Sequence, residues 1–230
     1  SDNYSYIIFD NSSGKVGVVD PSEFGKIDNY LEKKYKKLDF IINTHHHADH
    51  IGGNYKLKKK YNSKIVAYSG DSGRIKDIDV KVKNDDIFNF GNISFKIFNI
   101  PGHTSGHISL YSKDENVIFT GDTLFSFGCG RLLEGTYDEM FTSLKRIKSL
   151  PERTKIYFGH EYTKNNIEFC LSIEPDNIFL QERLKLVEKN LKNNICSTPT
   201  ILADEIRGNL FLKANNATEF KKYRDLKDSF

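Results

Sequence analysis

Cysteine is scarce in this chain of 230 residues: Cys129, Cys170 and Cys196 are odd in number, far apart and without a Cys-x-x-Cys pair. That argues against a disulfide framework and for a reducing compartment. Long apolar runs are missing too. No stretch approaches the roughly 18 apolar residues of a membrane span, and the start lacks the charged, apolar and small-residue segments of a secretory signal. A formal charge of +3 is too small to mark a nucleic-acid binder. The lysines that cluster (Lys33, Lys34, Lys36, Lys37 and Lys58, Lys59, Lys60) sit where helices present a solvated face. Repeats and low-complexity tracts are absent, and no histidine lies in the last 70 residues. What is present is 38% hydrophobic content, enough at this length to bury one good core.

Taken in order, Tyr6-Ile7-Ile8-Phe9 and Val16-Gly17-Val18-Val19 flank the turn-rich Asn11-Ser12-Ser13-Gly14 and read as a hairpin. Ser22 or a neighbour is placed to cap an amphipathic helix with Phe24, Ile27, Leu31 and Tyr35 on one stripe, running to about Leu38. A basic helix from Asn54 and a strand at Ile65-Val66-Ala67-Tyr68 continue the alternation. Further strands are read at Ile93 to Ile100, His107 to Tyr111, Val117 to Thr120 and Ile156 to Phe158. Thr136-Tyr137-Asp138-Glu139 is a capping box opening a helix with Met140, Phe141, Leu144, Ile147 and Leu150 on its apolar stripe and Pro151 just beyond its end. From Tyr162 onward helical periodicity takes over, which places a boundary near residue 161 and predicts a helical appendage over 161–230, packed on a first domain over 1–160.

Four times an apolar run is followed at once by a ligand-type residue: Phe40-Ile41-Ile42 before His45, Phe98-Asn99-Ile100 before His103, Val117-Ile118-Phe119 before Asp122, and Ile156-Tyr157-Phe158 before His160. Strand ends on one sheet edge converge there. The densest case is Thr44-His45-His46-His47-Ala48-Asp49-His50, left through Gly52-Gly53. In an extended arm His45 and His47 share a face and His46 points away, while Asp49 and His50 can turn toward a second point. One segment can thus feed two ions about 3.5–4 Å apart, the spacing of two-metal hydrolases. Imidazole with carboxylate suits Zn, Fe or Mn. Asp122 suits a bridging role, since its two oxygens can each face one ion. Asp20, directly after a buried strand, is either a partner orienting a ligating imidazole or a loop cap before Pro21. His107 is read as an ordinary packing histidine.

The arm from Thr44 to Gly53 resembles that of the metallo-β-lactamase superfamily. Within it the chain is similar to glyoxalase II, the hydroxyacylglutathione hydrolases, through Asp2-Asn3-Tyr4, Pro101-Gly102-His103-Thr104, Gly121-Asp122-Thr123-Leu124-Phe125, Gly128-Cys129-Gly130-Arg131, Glu134-Gly135-Thr136, Gly159-His160-Glu161-Tyr162-Thr163 and Arg224-Asp225-Leu226-Lys227-Asp228. The resemblance implies an α+β fold, a four-layer αβ/βα sandwich over 1–160, with a C-terminal all-helical, glutathione-binding domain over 161–230. It implies that His45, His47 and His103 hold one divalent metal, that Asp49, His50 and His160 hold the other, and that Asp122 bridges. Zinc is the first expectation among Zn, Fe and Mn. Glutathione is then held by Arg131, Leu132 and Leu133, by Tyr162, and by Arg224 and Lys227, cations suited to its two carboxylates. Ordinary helix-surface charge is the alternative reading of that pair. Leu133 departs from the family, which often has Tyr there, and the strand that precedes the Asp-Asn-Tyr segment in relatives is missing. With Ser1 in place of a Met, that suggests a trimmed start.

The implied reaction is hydrolysis of S-D-lactoylglutathione to glutathione and D-lactate, the second step of methylglyoxal detoxification. The metals acidify the attacking water and the thiolate leaves without a dedicated general acid. Rivals on the same scaffold are a β-lactamase or lactonase and a mononuclear-iron persulfide dioxygenase, against which the helical tail with Arg224 and Lys227 argues. A nuclease is disfavoured because only a short segment separates His103 from His160 and no basic-aromatic interleaving occurs. The expected partner is the small-molecule thioester, with no nucleic acid and no membrane, in a monomer. The expected compartment is the cytoplasm, or an organelle if a transit peptide has been removed.

Overall fold

A computed structural model describes residues 3–230, so that Ser1, the suspected trimming point, and Asp2, the first residue of the Asp2-Asn3-Tyr4 segment, lie outside the described residues. The chain divides into two compact units, Asn3–Asn99 with Gly106–Glu115, and Ile100–Ser105 with Asn116–Phe230.

The first unit is built on a five-stranded sheet of β1 (Tyr6–Phe9), β2 (Val16–Val19), β3 (Phe40–Ile42), β4 (Lys64–Tyr68) and β5 (Ile78–Val82), in that spatial order. β1 and β2 form the antiparallel hairpin read from the sequence, with Tyr6 opposite Val19. β2, β3, β4 and β5 run parallel, so each connection must cross over. α1 (Gly25–Lys34) makes the first crossover, α2 (Ala48–Ile51) and α3 (Asn54–Tyr61) the second. Their apolar stripes meet the sheet in a core that includes Val16, Val18, Ile27, Leu31, Ile41, Leu57 and Ile65. Full burial of a side chain such as Leu31 or Ile41 is worth about 1.5–3 kcal/mol. The opposite sheet face meets the antiparallel strands β6 (Ile87–Phe90), β7 (Ile93–Asn99) and β8 (Ile108–Ser112). Phe40 packs there edge-on against Phe88, ring centroids 5.3 Å apart. Covered on both faces, β3 reads as an unbroken apolar run rather than an alternating one.

α1 differs from the sequence expectation at both ends. Its N-cap is Phe24, without a side-chain bond, while the Ser22 amide donates to Ser5 Oγ. It stops at Lys34 because the Lys36 amide skips the next carbonyl and returns to Leu31 O, which already accepts from the Tyr35 amide, and Lys36 takes a left-handed φ of 55°.

The second unit carries β9 (Val117–Gly121) parallel to β12 (Lys155–Phe158), and a short hairpin of β10 (Leu124–Phe125) and β11 (Gly128–Cys129). Its helices are α4 (Tyr137–Lys148), α5 (Thr163–Ile173), α6 (Ile178–Lys192), α7 (Leu202–Gly208), α8 (Leu210–Lys213) and α9 (Ala217–Asp228). Between α6 and α7 a two-residue strand, β13 (Thr200–Ile201), pairs antiparallel with β12. α4 starts on a complete capping box: Thr136 Oγ1 accepts from the Glu139 amide, and Glu139 accepts from the Thr136 amide. It buries Met140, Leu144 and Ile147, while Ser143 Oγ on the same face donates to Pro101 O. Removing that cap with Thr136→Ala is expected to lower unfolding free energy by about 1 kcal/mol, read from urea midpoints at unchanged slope.

Candidate active site

In the first unit β3 runs into the buried residues Asn43, Thr44 and His45. Asp20, at the end of β2 and held at a left-handed φ of 50°, organises the histidine arm. Its Oδ1 accepts from the Thr44 amide at 2.8 Å, and its Oδ2 accepts from Thr44 Oγ1 at 2.7 Å and meets His50 Nδ1 at 3.0 Å. A carboxylate can only accept, so His50 Nδ1 carries the hydrogen and Nε2 the lone pair. His47 is the N-cap of the four-residue α2, and this turn is what swings Asp49 and His50 out of line with His45 and His47. His45 Nε2 lies 3.1 Å from His47 Nδ1, the His45 and His50 rings are 4.2 Å apart, and Asp20, His45 and His50 offer ligand atoms within 4.8 Å of one another. Asn3 Nδ2 donates to Asp49 Oδ2 at 2.9 Å. Glycine is required at 52 and 53 because a Cβ on either would lie 2.4 Å from Ser22 O and 2.7 Å from Glu23 O respectively. His46 turns away toward Asp71, 3.7 Å distant, and His107 stacks flat on His45 at 4.7 Å.

The second unit presents His103, Asp122 and His160, all buried. His103 Nδ1 donates to Arg131 O at 2.8 Å, so the lone pair on Nε2 faces Asp122 Oδ2 at 3.6 Å; His160 Nε2 approaches the same oxygen to 3.1 Å. Acceptor facing acceptor is repulsive unless a proton or a cation lies between. Within this unit the donor set of imidazole and carboxylate, with the outer nitrogen of His103 fixed by Arg131 O, is of the chemistry that fits a divalent metal, as is the His50 imidazole fixed by Asp20 in the first unit. Gly130 has no alternative, because a Cβ there would lie 1.9 Å from Asp122 O.

Beside His103 and Asp122 lies a cavity of about 620 Å³ whose lining includes Phe125, Cys129, Arg131, Tyr162, Arg224 and Lys227. Tyr162 stacks parallel to His160 at 4.8 Å, and Phe125 stands edge-on to Tyr162 at 5.3 Å. Arg224 is 4% exposed; its Nη1 donates to Cys129 O and its Nη2 to Asp228, while Nε has no hydrogen-bond partner. Lys227 donates to Asn165 O at 3.0 Å; burial, then the neighbouring Arg224, pulls its amine down to about 8. Arg131 and Leu133 are exposed and Leu132 is half-buried. Cys129 is held as a thiol, pushed up to about 11 by burial.

Sequence reasoning places Thr44 and Asn3 only as members of motifs, without a role of their own, and misses Asp71 and Glu205 altogether. Thr44 carried a signal, a hydroxyl directly before the ligands. Glu205 carried none: inside Asp204-Glu205 it looks like a surface acid, yet it is fully buried and accepts four hydrogen bonds.

The family model described as the Metallo-beta-lactamase superfamily matches residues 2–160, and the one described as Hydroxyacylglutathione hydrolase C-terminus matches 161–230. A relative from Pelagibacter ubique, named hydroxyacylglutathione hydrolase, is 49% identical over 100% of this chain and 96% of its own. One of the same name from Rhodopseudomonas palustris is 44% identical over 94% and 84%. Among solved structures, ETHE1 from Myxococcus xanthus superposes with a TM-score of 0.75 at 25% identity, covering 98% of this chain and 86% of that one.

Burial pushes the Glu205 carboxyl up to about 7 from its ordinary 4.5, so its neutral form is the one the fold favours. The stability this contributes is complete below pH 4.5 and is lost as pH rises to 7. Between those values the stability of the parent relative to Glu205→Gln should fall by roughly 3 kcal/mol, read from paired urea titrations.

Proposed function

Because the chain belongs to the metallo-β-lactamase superfamily and, within it, to the hydroxyacylglutathione hydrolase family, we propose that it is a metal-dependent thioesterase cleaving S-D-lactoylglutathione to glutathione and D-lactate. One observation carries the reading: in the second unit, a cavity lined by Arg224, Lys227 and Tyr162 opens beside His103 and Asp122. A metal-ligand pair thus stands next to cations matched to a peptide carrying two carboxylates.

His45, His47 and His103 are assigned to one ion, Asp49, His50 and His160 to the other, and Asp122 to both. Bound there, divalent metal supplies Lewis acidity, polarising the thioester carbonyl and bringing a water pKa toward about 7. The chain's own residues do the rest. Asp20 keeps the proton of His50 on Nδ1, and Arg131 O keeps that of His103 on Nδ1, so both Nε2 atoms stay available. Lys227 and Arg224 anchor the glutathione carboxylates, and Tyr162 with Arg131, Leu132 and Leu133 holds the peptide. Phe125 walls the reacting end against solvent. The glutathione thiol, near pKa 8.5, leaves as thiolate without a proton donor. Residues 1–160 supply the ligands and the Arg131–Leu133 side of the glutathione site, and 161–230 supply Tyr162, Arg224 and Lys227. Three free cysteines fit a reducing, cytoplasmic setting, and the protein acts as a monomer on a small substrate without nucleic acid. Among the described residues no helix is long and apolar enough to cross a membrane.

Metal-loaded protein should consume the thioester, followed by loss of its ultraviolet absorbance, with chelation abolishing turnover and readdition of metal restoring it; no turnover above the stripped control refutes the assignment. Asp122→Asn should lower kcat/KM by about 10²–10⁴-fold at retained fold. Since Lys227 discharges above about 8, KM should rise as pH passes through that value, and Lys227→Arg should flatten the rise.

A further inference from the structure

The turn between β10 and β11, closed by the antiparallel pairing of Phe125 with Gly128, is braced by buried polar side chains. Asn209 Nδ2 donates to Phe125 O and Gly128 O, Asn166 Nδ2 donates to Ser126 O, and Cys170 donates to Phe127 O. Glu205 joins them from α7. Its Oε1 accepts from two hydroxyls, Ser126 Oγ at 3.0 Å and Thr200 Oγ1 at 2.8 Å. Its Oε2 accepts from two N–H groups, the Phe127 amide at 2.7 Å and Asn209 Nδ2 at 3.0 Å. The turn needs such support, since Phe127 is at a left-handed φ of 56° and its ring lies where a Cβ on Gly208 would come within 2.6 Å. One residue before the turn, the Phe125 ring stands edge-on to both His160, at 6.0 Å, and Tyr162, at 5.3 Å.

We propose that Glu205 is a positioning residue for the hydrolase: its two oxygens fix the β10–β11 turn, and the turn fixes the Phe125 ring that sets the His160–Tyr162 stack at the substrate cavity. The proposal rests on the function assigned above and deepens it. The two oxygens have unlike demands. Amide N–H groups can only donate, whereas the hydroxyls on the Oε1 side can rotate and accept instead. A group of the same shape with one obligatory acceptor and one hydrogen-bearing end therefore satisfies all four neighbours. Glutamine does so with its oxygen toward Phe127 and Asn209 and its NH2 toward the hydroxyls, as does a carboxyl protonated on Oε1. Methionine, similar in length, leaves the buried Phe127 N–H without an acceptor. The role belongs to acceptor geometry and not to negative charge.

The test compares metal-loaded parent, Glu205→Gln, Glu205→Met and Phe125→Leu, with Asn177→Ala as a stability control that removes the α6 cap. Metal content, melting temperature, the dissociation constant of an S-alkylglutathione by calorimetry, and KM with kcat are read for each. Glu205→Met and Phe125→Leu should weaken S-alkylglutathione binding and raise KM by about tenfold, a displaced contact surface being enough to do so. Their double variant should be little worse than Glu205→Met alone, because both act through one ring. Glu205→Gln should match the parent, and Asn177→Ala should lower the melting temperature without moving affinity or KM. If Glu205→Met fails to fold, Ser126→Ala/Thr200→Val, which strips Oε1 of both partners, replaces it under the same criteria. Parent-like affinity in Glu205→Met at full metal content overturns the proposal, as does a Glu205→Gln that weakens binding as much as Glu205→Met. A parent that binds S-alkylglutathione but turns over no thioester refutes the assigned reaction instead.

Discussion

The carboxylate of Asp20 is the constraint on which the histidine arm depends. Three groups converge on it, the amide and hydroxyl of Thr44 and Nδ1 of His50, and the residue tolerates a left-handed backbone so that its oxygens can reach them. A charge buried to 3% exposure is costly unless fully hydrogen-bonded, and here every bond it gains also orients the histidine arm. The parallel pairing of β2 with β3 brings the end of one strand beside the end of the next, which is why a residue some two dozen positions upstream can do this. Sheet topology, charge satisfaction and imidazole tautomer are one arrangement described three ways.

The second unit solves the same problem with a backbone atom. His103 is oriented by Arg131 O, and the loop carrying it is tied by Gly135 N to Gly102 O and by Ser143 Oγ to Pro101 O. α4 therefore does more than fill a core: its capped first turn and its Ser143 hold the segment that presents an imidazole. Gly130 completes the loop, because the backbone of Asp122 passes where any side chain would stand.

Much of this is legible in the amino-acid order because its cues are local. Apolar triplets such as Phe40-Ile41-Ile42 followed closely by a histidine or aspartate mark strand ends, and Thr136 with Glu139 marks a helix start. The places where local reading falls short depend on long-range partners. α1 ends at Lys34 because the Lys36 amide turns back to Leu31 O with Lys36 in a left-handed backbone, which no hydrophobic stripe reveals. Glu205 is indistinguishable from a solvated acid until Ser126, Phe127 and Thr200 arrive from distant segments. His107 reads as ordinary packing, and only the return of β8 past Thr44 lays its ring on His45.

The helix that carries Asp49 and His50 is a single turn, four residues long, and its cap, His47, makes no side-chain bond to it. Isolated, such a turn would melt, since nucleation costs more than one turn returns. Its order is borrowed from Asp20 and from Asn3, and any cation gripping its side chains adds to the loan. Amide exchange and protease susceptibility over Ala48–Ile51 are therefore thermodynamically linked to ion affinity, each reporting the same free energy from opposite sides.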